Sequence, residues 1–352
     1  MRRVSSPAWC CRSMADRAPA TRSRTPIGRA NRCRRRARAL SGKVADFSGS
    51  KARQRTQTPA LRPTAATQLA ENEGDDSMQA LRQVVVHHDD LGASWSANMA
   101  FLELCEQGVV TCGSVMVPCP WFPHMAQLAR DNPELDIGVH LTLTSEFDRF
   151  RWRPMTGTAD NGMCDAEGFM PRRVADTQGA DVAAVEAELR AQIDAALAAG
   201  IDVTHLDAHM GTVWLPEFVE IYEQLGADYS LPIFLPGPQD AWVEPSVALD
   251  RAWAKAAARG NPLFDGVVST PFGNLSPTAA DYRGILDSAK PGLNWGAFHF
   301  TRPGDIAMIS DDAPLRLAEY ELFRSGAVET MYAELGLELV GMRGFREQLR
   351  AR

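Results

Sequence analysis

From Met78 onward, short apolar runs alternate with longer stretches in which apolar residues recur every third or fourth position. Short runs of this kind suit strands buried on both faces, and the longer period suits helices packed on one side. Their alternation predicts βα units around a parallel sheet. The strand-like runs fall at 83–87, 114–117, 136–143, 202–206, 232–235, 266–269, 296–300 and 337–340. Between them, 97–107 reads as a helix with Ser96 at its N-cap and Gly108 just past its end. The clearest helix is 181–199, where Val182, Val185, Leu189, Ile193 and Leu197 keep helical spacing ahead of Gly200. Stretches 215–225, 247–259 and 313–325 complete the set. Eight strands with interleaved helices over about 275 residues predict a single α/β domain, a distorted TIM-like (β/α) barrel, with a doubly wound open sheet as the other arrangement.

Charge divides the chain differently. Residues 1–77 hold 17 Lys and Arg against 6 Asp and Glu, a net of +11, which leaves −18 for the rest of a chain whose formal charge is −7. The leader has no amphipathic period and is expected to be disordered. It lacks the apolar core of a secretory signal, and its Arg-rich, acid-poor composition is like that of a transit peptide. The expectation preferred is an upstream extension, with the true start at Met78 and one domain over 78–352. An acidic body argues against nucleic acid as a partner, and no apolar stretch approaches the roughly 18 residues of a membrane helix. Cys10, Cys11 and Cys33 lie in the leader and Cys105, Cys112, Cys119 and Cys164 in the body, none in a CxxC pair. That spacing fits reduced thiols in a cytoplasmic protein.

The candidate chemistry collects where strands end. Val84-Val85-Val86-His87-His88-Asp89-Asp90-Leu91-Gly92 is an apolar run that stops in two histidines and two adjacent acids. Carboxyl ends of parallel strands are where such barrels keep their active sites, and neighbouring carboxylates repel unless a cation lies beside them. The 136–143 run carries His140, and the 202–206 run continues as His205-Leu206-Asp207-Ala208-His209. Asp90, His140 and His209 are therefore the candidate ligands of one divalent metal ion. One carboxylate and two imidazoles leave positions open for water and substrate, as a catalytic metal requires. Asp89 is the candidate base. Period-two alternation puts His205, Asp207 and His209 on one side, with Asp207 orienting His209 or a neighbouring ligand and His205 more structural. His299, in Phe298-His299-Phe300-Thr301-Arg302, is the candidate acid; His88 and Arg302 are assigned to the support or substrate side, and His87 and His124 to the pocket wall or a loop. Trp95, Trp121 and Trp214 lie near these loops, where core or loop packing is the first expectation and stacking on a substrate the other. Mg or Zn is expected first, with Mn, Co and Ni open.

These motifs resemble those of the YdjC-like carbohydrate deacetylases, the group that contains chitooligosaccharide deacetylase and the hopanoid-biosynthesis deacetylase. His88-Asp89-Asp90-Leu91-Gly92 with Asn98 is similar to the family's Ala-Asp-Asp-Phe-Gly opening; Gly138 to Thr144 resembles Gly-x-His-x-x-Leu-Thr; and Thr204 to His209 resembles Thr-His-x-Asp-x-His. The resemblance implies a distorted TIM-like barrel, often a homodimer, with metal on Asp90, His140 and His209 and Asp89 as base. It also implies removal of N- or O-acetyl groups from an acetylated sugar. Departures lie late in the chain: Met210-Gly211-Thr212 stands where many members have further histidines, and Phe298-His299-Phe300 stands for Cys-His-Pro, with Pro303-Gly304 displaced. Read from the residues alone, a metal-dependent phosphoesterase or amidohydrolase, or a silent sugar-binding barrel, are the other functions.

Overall fold

The structure, a computed structural model, describes residues 81–157 and 161–352. The basic leader, its cysteines and the candidate start at Met78 lie outside the described residues. Among the described residues seven parallel strands form one sheet: β1 (Arg82–Leu91), β2 (Cys112–Val115), β3 (Ile137–Leu141), β4 (Val203–Ala208), β5 (Gly266–Ser269), β6 (Gly292–Phe298) and β7 (Leu337–Leu339). Their order is β4-β3-β2-β1-β6-β5, with β7 also paired to β1. β1 is the organising strand. One of its edges pairs with β6 from Arg82 to His88 without a break, and the other is shared by β7 at Arg82–Val84 and by β2 from His87 to Leu91.

The expected fifth run, 232–235, does not become a strand. It makes a single bridge, Ile233 to Leu206 of β4. Pro232 and Pro236 cannot donate to a ladder, and the Asn261 side chain takes both the N–H (2.8 Å) and the C=O (2.9 Å) of Ile233. Among the described residues no backbone ladder runs from there to β5, so a parallel α/β sheet is observed but the ring of pairing is not closed. Side chains fill that gap: Phe234 stacks on Trp295 of β6 with centroids 4.4 Å apart and planes 6° from parallel.

Helices follow the strands: α1 (Trp95–Gln107), α2 (Phe122–Asp131), α3 (Val182–Ala198), α4 (Val219–Asp228), α5 (Val247–Ala258), α6 (Ala279–Asp287), α7 (Ile306–Ile309), α8 (Ala313–Arg324), α9 (Ala327–Leu335) and α10 (Met342–Arg350). The cap of α1 is Ser94, whose Oγ accepts from the Ala97 N–H at 2.9 Å. Ser96, expected there, instead donates its hydroxyl to Asp305. Gly108, at φ +78°, closes α1 as expected, and Asp181 caps α3.

Strand alternation sorts the sheet into two faces. Val84, Val86, Val115, Val139, Leu141 and Leu206 belong to the core shared with the helices. On the other face, Val85, Cys112, Phe234, Leu293 and Trp295 form a smaller apolar layer. The polar residues of the site continue this second face toward the carboxyl ends of the strands.

Candidate metal centre

Strand β1 runs five residues past its apolar stretch, through His87, His88, Asp89 and Asp90 to Leu91. Consecutive strand residues face opposite ways, so two adjacent acids would ordinarily be separated by the sheet. Here the register with β2 shifts between His88 and Leu91, and Asp90 sits in the left-handed region at φ +64°. Asp tolerates that conformation better than most residues. The result is that both carboxylates face His299, whose Nε2 is 3.7 Å from Asp89 Oδ2 and 4.0 Å from Asp90 Oδ2.

Asp90 Oδ2 accepts from Arg316 Nη1 of α8 at 2.7 Å. Its other oxygen, Oδ1, is buried and has no hydrogen-bond partner among the described residues. It lies 3.2 Å from His209 Nδ1 and 3.5 Å from His140 Nε2. The far nitrogens of both rings are engaged: His140 Nδ1 meets Asp207 Oδ2 at 2.8 Å and Ser114 Oγ at 3.0 Å, and His209 Nε2 meets Glu146 Oε2 at 2.9 Å. Each imidazole thus turns one nitrogen to a carboxylate behind it and the other to Asp90 Oδ1, the arrangement by which outer groups orient metal-binding histidines. The three donor atoms lie within 4.8 Å of one another. An unpartnered buried oxygen facing two imidazole nitrogens fits a small divalent cation, and the mixed N/O set suits Zn, Mn, Co or Ni as well as Mg.

Electrostatics support the same reading. Burial opposes ionisation of Asp90, yet Arg316 overrides it and holds the carboxyl well below its usual range. Burial would keep His140 and His209 neutral, but Asp207 and Glu146 reverse this, raising His140 well above the ordinary imidazole value and His209 to about 9. So much negative charge around two buried rings calls for a cation, either as protons or as a metal.

Asp89 is held from behind. His87 Nδ1 lies 2.5 Å from Asp89 Oδ1, His87 Nε2 is 3.1 Å from His205 Nε2, and His205 Nδ1 is 2.9 Å from the Thr204 hydroxyl, which also bonds Asp136. Burial and the neighbouring His87 push His205 down to about 3, so its ring is neutral. Gly138 makes room for this ring: a Cβ there would lie 2.6 Å from His205 Nε2 and Cδ2. With Oδ1 of Asp89 taken, Oδ2 is the oxygen turned to the pocket.

The remaining residues read from the sequence are spread out. Asp207 orients His140, not His209. His88 faces the helices, its ring edge-on to Phe101 and Phe300 with both nitrogens unpartnered, and burial keeps it well below the ordinary value. Arg302 lies over the Trp95 ring at 5.3 Å. His124 bonds Asn98, which in turn accepts from the Gly92 N–H. Trp121 is partly exposed beside His124, whereas Trp214 packs on Phe234. Sequence reasoning missed four contributors: Ser114, Glu146, Arg316 and Glu319, the last of which accepts from the His299 backbone N–H. Arg316 and Glu319 carried a signal, for both fall among the buried residues of α8 with Ala313, Tyr320 and Phe323, where a charge is expected only if paired.

Comparison with known proteins identifies the family and the fold. The family model described as YdjC-like protein matches residues 83–334. A carbohydrate deacetylase of Thermus thermophilus is 32% identical over 254 residues, 72% of this chain and 90% of that protein. Another, from Geobacillus stearothermophilus, is 35% identical over 152 residues, which span 43% of this chain and 59% of that relative. A crystal structure of an Enterococcus faecalis V583 protein, named for cellobiose-phosphate cleavage, superposes with a TM-score of 0.63 at 20% identity, covering 75% of this chain and 99% of that one, and so shares the fold. With its family model spanning most of the chain and a relative aligned along nearly its whole length, the protein belongs to the YdjC-like family.

Proposed function

We propose that the protein is a metal-dependent carbohydrate deacetylase that hydrolyses an N- or O-acetyl group on a sugar. The observation that carries this reading is the unpartnered Asp90 Oδ1 facing His140 Nε2 and His209 Nδ1, beside the free oxygen of Asp89 and across from His299. Asp90, His140 and His209 would hold the ion, which when bound supplies Lewis acidity toward water and the acetyl carbonyl. Asp89 accepts a proton at Oδ2 from the attacking water, its other oxygen being fixed by His87. His299 donates a proton from Nε2 to the departing amine or alcohol. Arg316 keeps Asp90 ionised and leaves only Oδ1 to bind. Trp121, exposed beside His124, and Phe272, exposed against the His299 ring, are the aromatic side chains available to stack on a sugar ring.

Among the described residues no helix is long and apolar enough to cross a membrane. The described cysteines are unpaired thiols, which supports a reducing cytoplasmic setting. Acetate release from a panel of N- and O-acetylated mono- and oligosaccharides, with and without chelator, tests the proposal. Release that chelation abolishes and divalent metal restores is expected; no release from any metal-replete sample refutes it. An Asp89→Asn variant should keep its metal and lose at least about 100-fold in rate, and an unchanged rate removes Asp89 as the base.

A further inference from the structure

Glu319 is fully buried on α8 and takes no part in the steps above. Its carboxylate gathers donors from three elements. The His299 backbone N–H donates to Oε2 at 2.6 Å and the Tyr282 hydroxyl to Oε1 at 2.9 Å. The Thr270 hydroxyl lies 2.9 Å from Oε1 and 3.1 Å from Oε2. That same Thr270 oxygen is 2.9 Å from His299 Nδ1. A hydroxyl has one proton to give and lone pairs to receive. When the proton goes to the carboxylate, the oxygen accepts from Nδ1–H, and Nε2 is the nitrogen left facing Asp89 and Asp90. Phe272 meets the His299 ring at 4.7 Å between centroids and closes one side of it.

We infer that Glu319 and Thr270 form a carboxylate–hydroxyl–imidazole relay that positions His299, so that Nε2 is the atom which hands a proton to the leaving group. The inference rests on His299 acting as the acid of the proposed deacetylation. In that step the proton that Asp89 Oδ2 took from water passes to His299 Nε2, 3.7 Å away, and the doubly protonated ring, which burial disfavours, gives it up at once: the Nε2–H bond breaks as the carbon–nitrogen bonding pair becomes the lone pair of the departing amine. That amine takes the proton, and His299 ends neutral with Nδ1–H still on Thr270. Burial pushes Glu319 up to about 7 in spite of its donors, which marks a carboxylate kept in the core where an apolar residue would be easier to bury. Its hydrogen bonds to Thr270 and the His299 N–H give that buried carboxylate a role.

The leaving group discriminates between positioning and mere structure. An amine needs protonation to depart; 4-nitrophenolate does not. Wild type, Thr270→Val, Thr270→Ser, Glu319→Gln and His299→Gln should be assayed on 4-nitrophenyl acetate and on the N-acetylated sugar of the panel that is turned over fastest. Thr270→Val is expected to lower kcat on the sugar on the order of 100-fold and on the aryl ester by less than about 3-fold, since a positioned acid contributes roughly 10²- to 10⁴-fold. Thr270→Ser should recover most of the loss, and Glu319→Gln should share the selectivity. Equal losses on both probes, or no recovery with serine, overturn the relay. His299→Gln separates the two levels: if it is selective and Thr270→Val is not, the relay alone fails, and if it is not selective, the acid assignment falls and the relay with it. All five proteins should unfold cooperatively with the same metal content, and loss of either in Thr270→Val would make its role structural and overturn the inference.

Discussion

Replacing Arg316 by Met removes a buried guanidinium and keeps most of its hydrophobic stem. Arg316 Nη1 donates to Asp90 Oδ2 at 2.7 Å and its Nε to Asp312 Oδ1 at 3.0 Å, and the Arg316 and Asp90 side chains are only 7% and 6% exposed. Asp312 is itself only 12% exposed but keeps its bond to Ser310, so the loss falls chiefly on Asp90, whose Oδ1 already lacks a hydrogen bond. Deleting one partner of a buried ion pair costs about 3 to 5 kcal/mol, which for a domain of this size is roughly 6 to 20 °C in Tm. A cation on Asp90 would restore the missing positive charge, so the deficit should shrink when metal is added. Thermal unfolding of both proteins, followed by circular dichroism in chelator and then with zinc or magnesium, reads this directly. Equal Tm values in chelator would refute the claim that Arg316 neutralises Asp90. A gap that metal does not narrow would refute the claim that guanidinium and cation share one carboxylate.

Other expectations follow from the same contacts. Glu319 has its pKa raised to about 7, so its contribution favours folding below the ordinary carboxyl value near 4.3 and is lost as pH rises through about 7; Glu319→Gln should remove roughly 3 kcal/mol of that pH dependence, seen in denaturant unfolding between pH 4.5 and 8. Gly138→Ala would drive a Cβ into the His205 ring, which His87 and Thr204 already hold, and should cost about 1 to 3 kcal/mol in urea unfolding; full stability would show that the ring has room to retreat. Asp90→Asn keeps a residue suited to φ +64° and should fold while losing metal by elemental analysis, whereas Asp90→Val should lose stability as well.

The parallel α/β fold is legible in the sequence because βα alternation is written in local periodicity, and α3 and the Gly108 cap follow from spacing alone. The run 232–235 reads as a strand because its apolar pattern looks complete; what prevents pairing is Asn261, a side chain from 28 residues away that occupies the Ile233 backbone. The site divides in the same way. Asp90, His140 and His209 can be found because each stands where a strand ends. The residues behind them are harder to find, since Glu146 lies in a loop and Arg316 comes from a helix 226 positions beyond Asp90. The sequence leaves Asp207 to orient His209 or a neighbour, and the cross-strand register that seats His140 opposite Asp207 decides for the neighbour. The company of His88 in the motif suggests the pocket, although alternation from Val86 already points it toward the helices.

The hydrogen-bonded line from Asp89 through His87, His205 and Thr204 ends at Asp136, whose second oxygen accepts from the Arg343 N–H of α10 at 2.7 Å. Arg346 of the same helix reaches the Val203 carbonyl at 2.8 Å and the Asp202 carboxylate at 2.6 Å. Both arginines lie beyond residue 334, where the family model stops. A minimal fragment drawn to that boundary would therefore contain every side chain of the metal centre and still be incomplete. It would lack β7, and it would leave Asp136 and Asp202 without the groups that anchor the inner end of that line. The C-terminal segment 335–352 is thus the foundation on which Asp89 stands, and any attempt to shorten the protein to its family-matched portion would loosen the site from below.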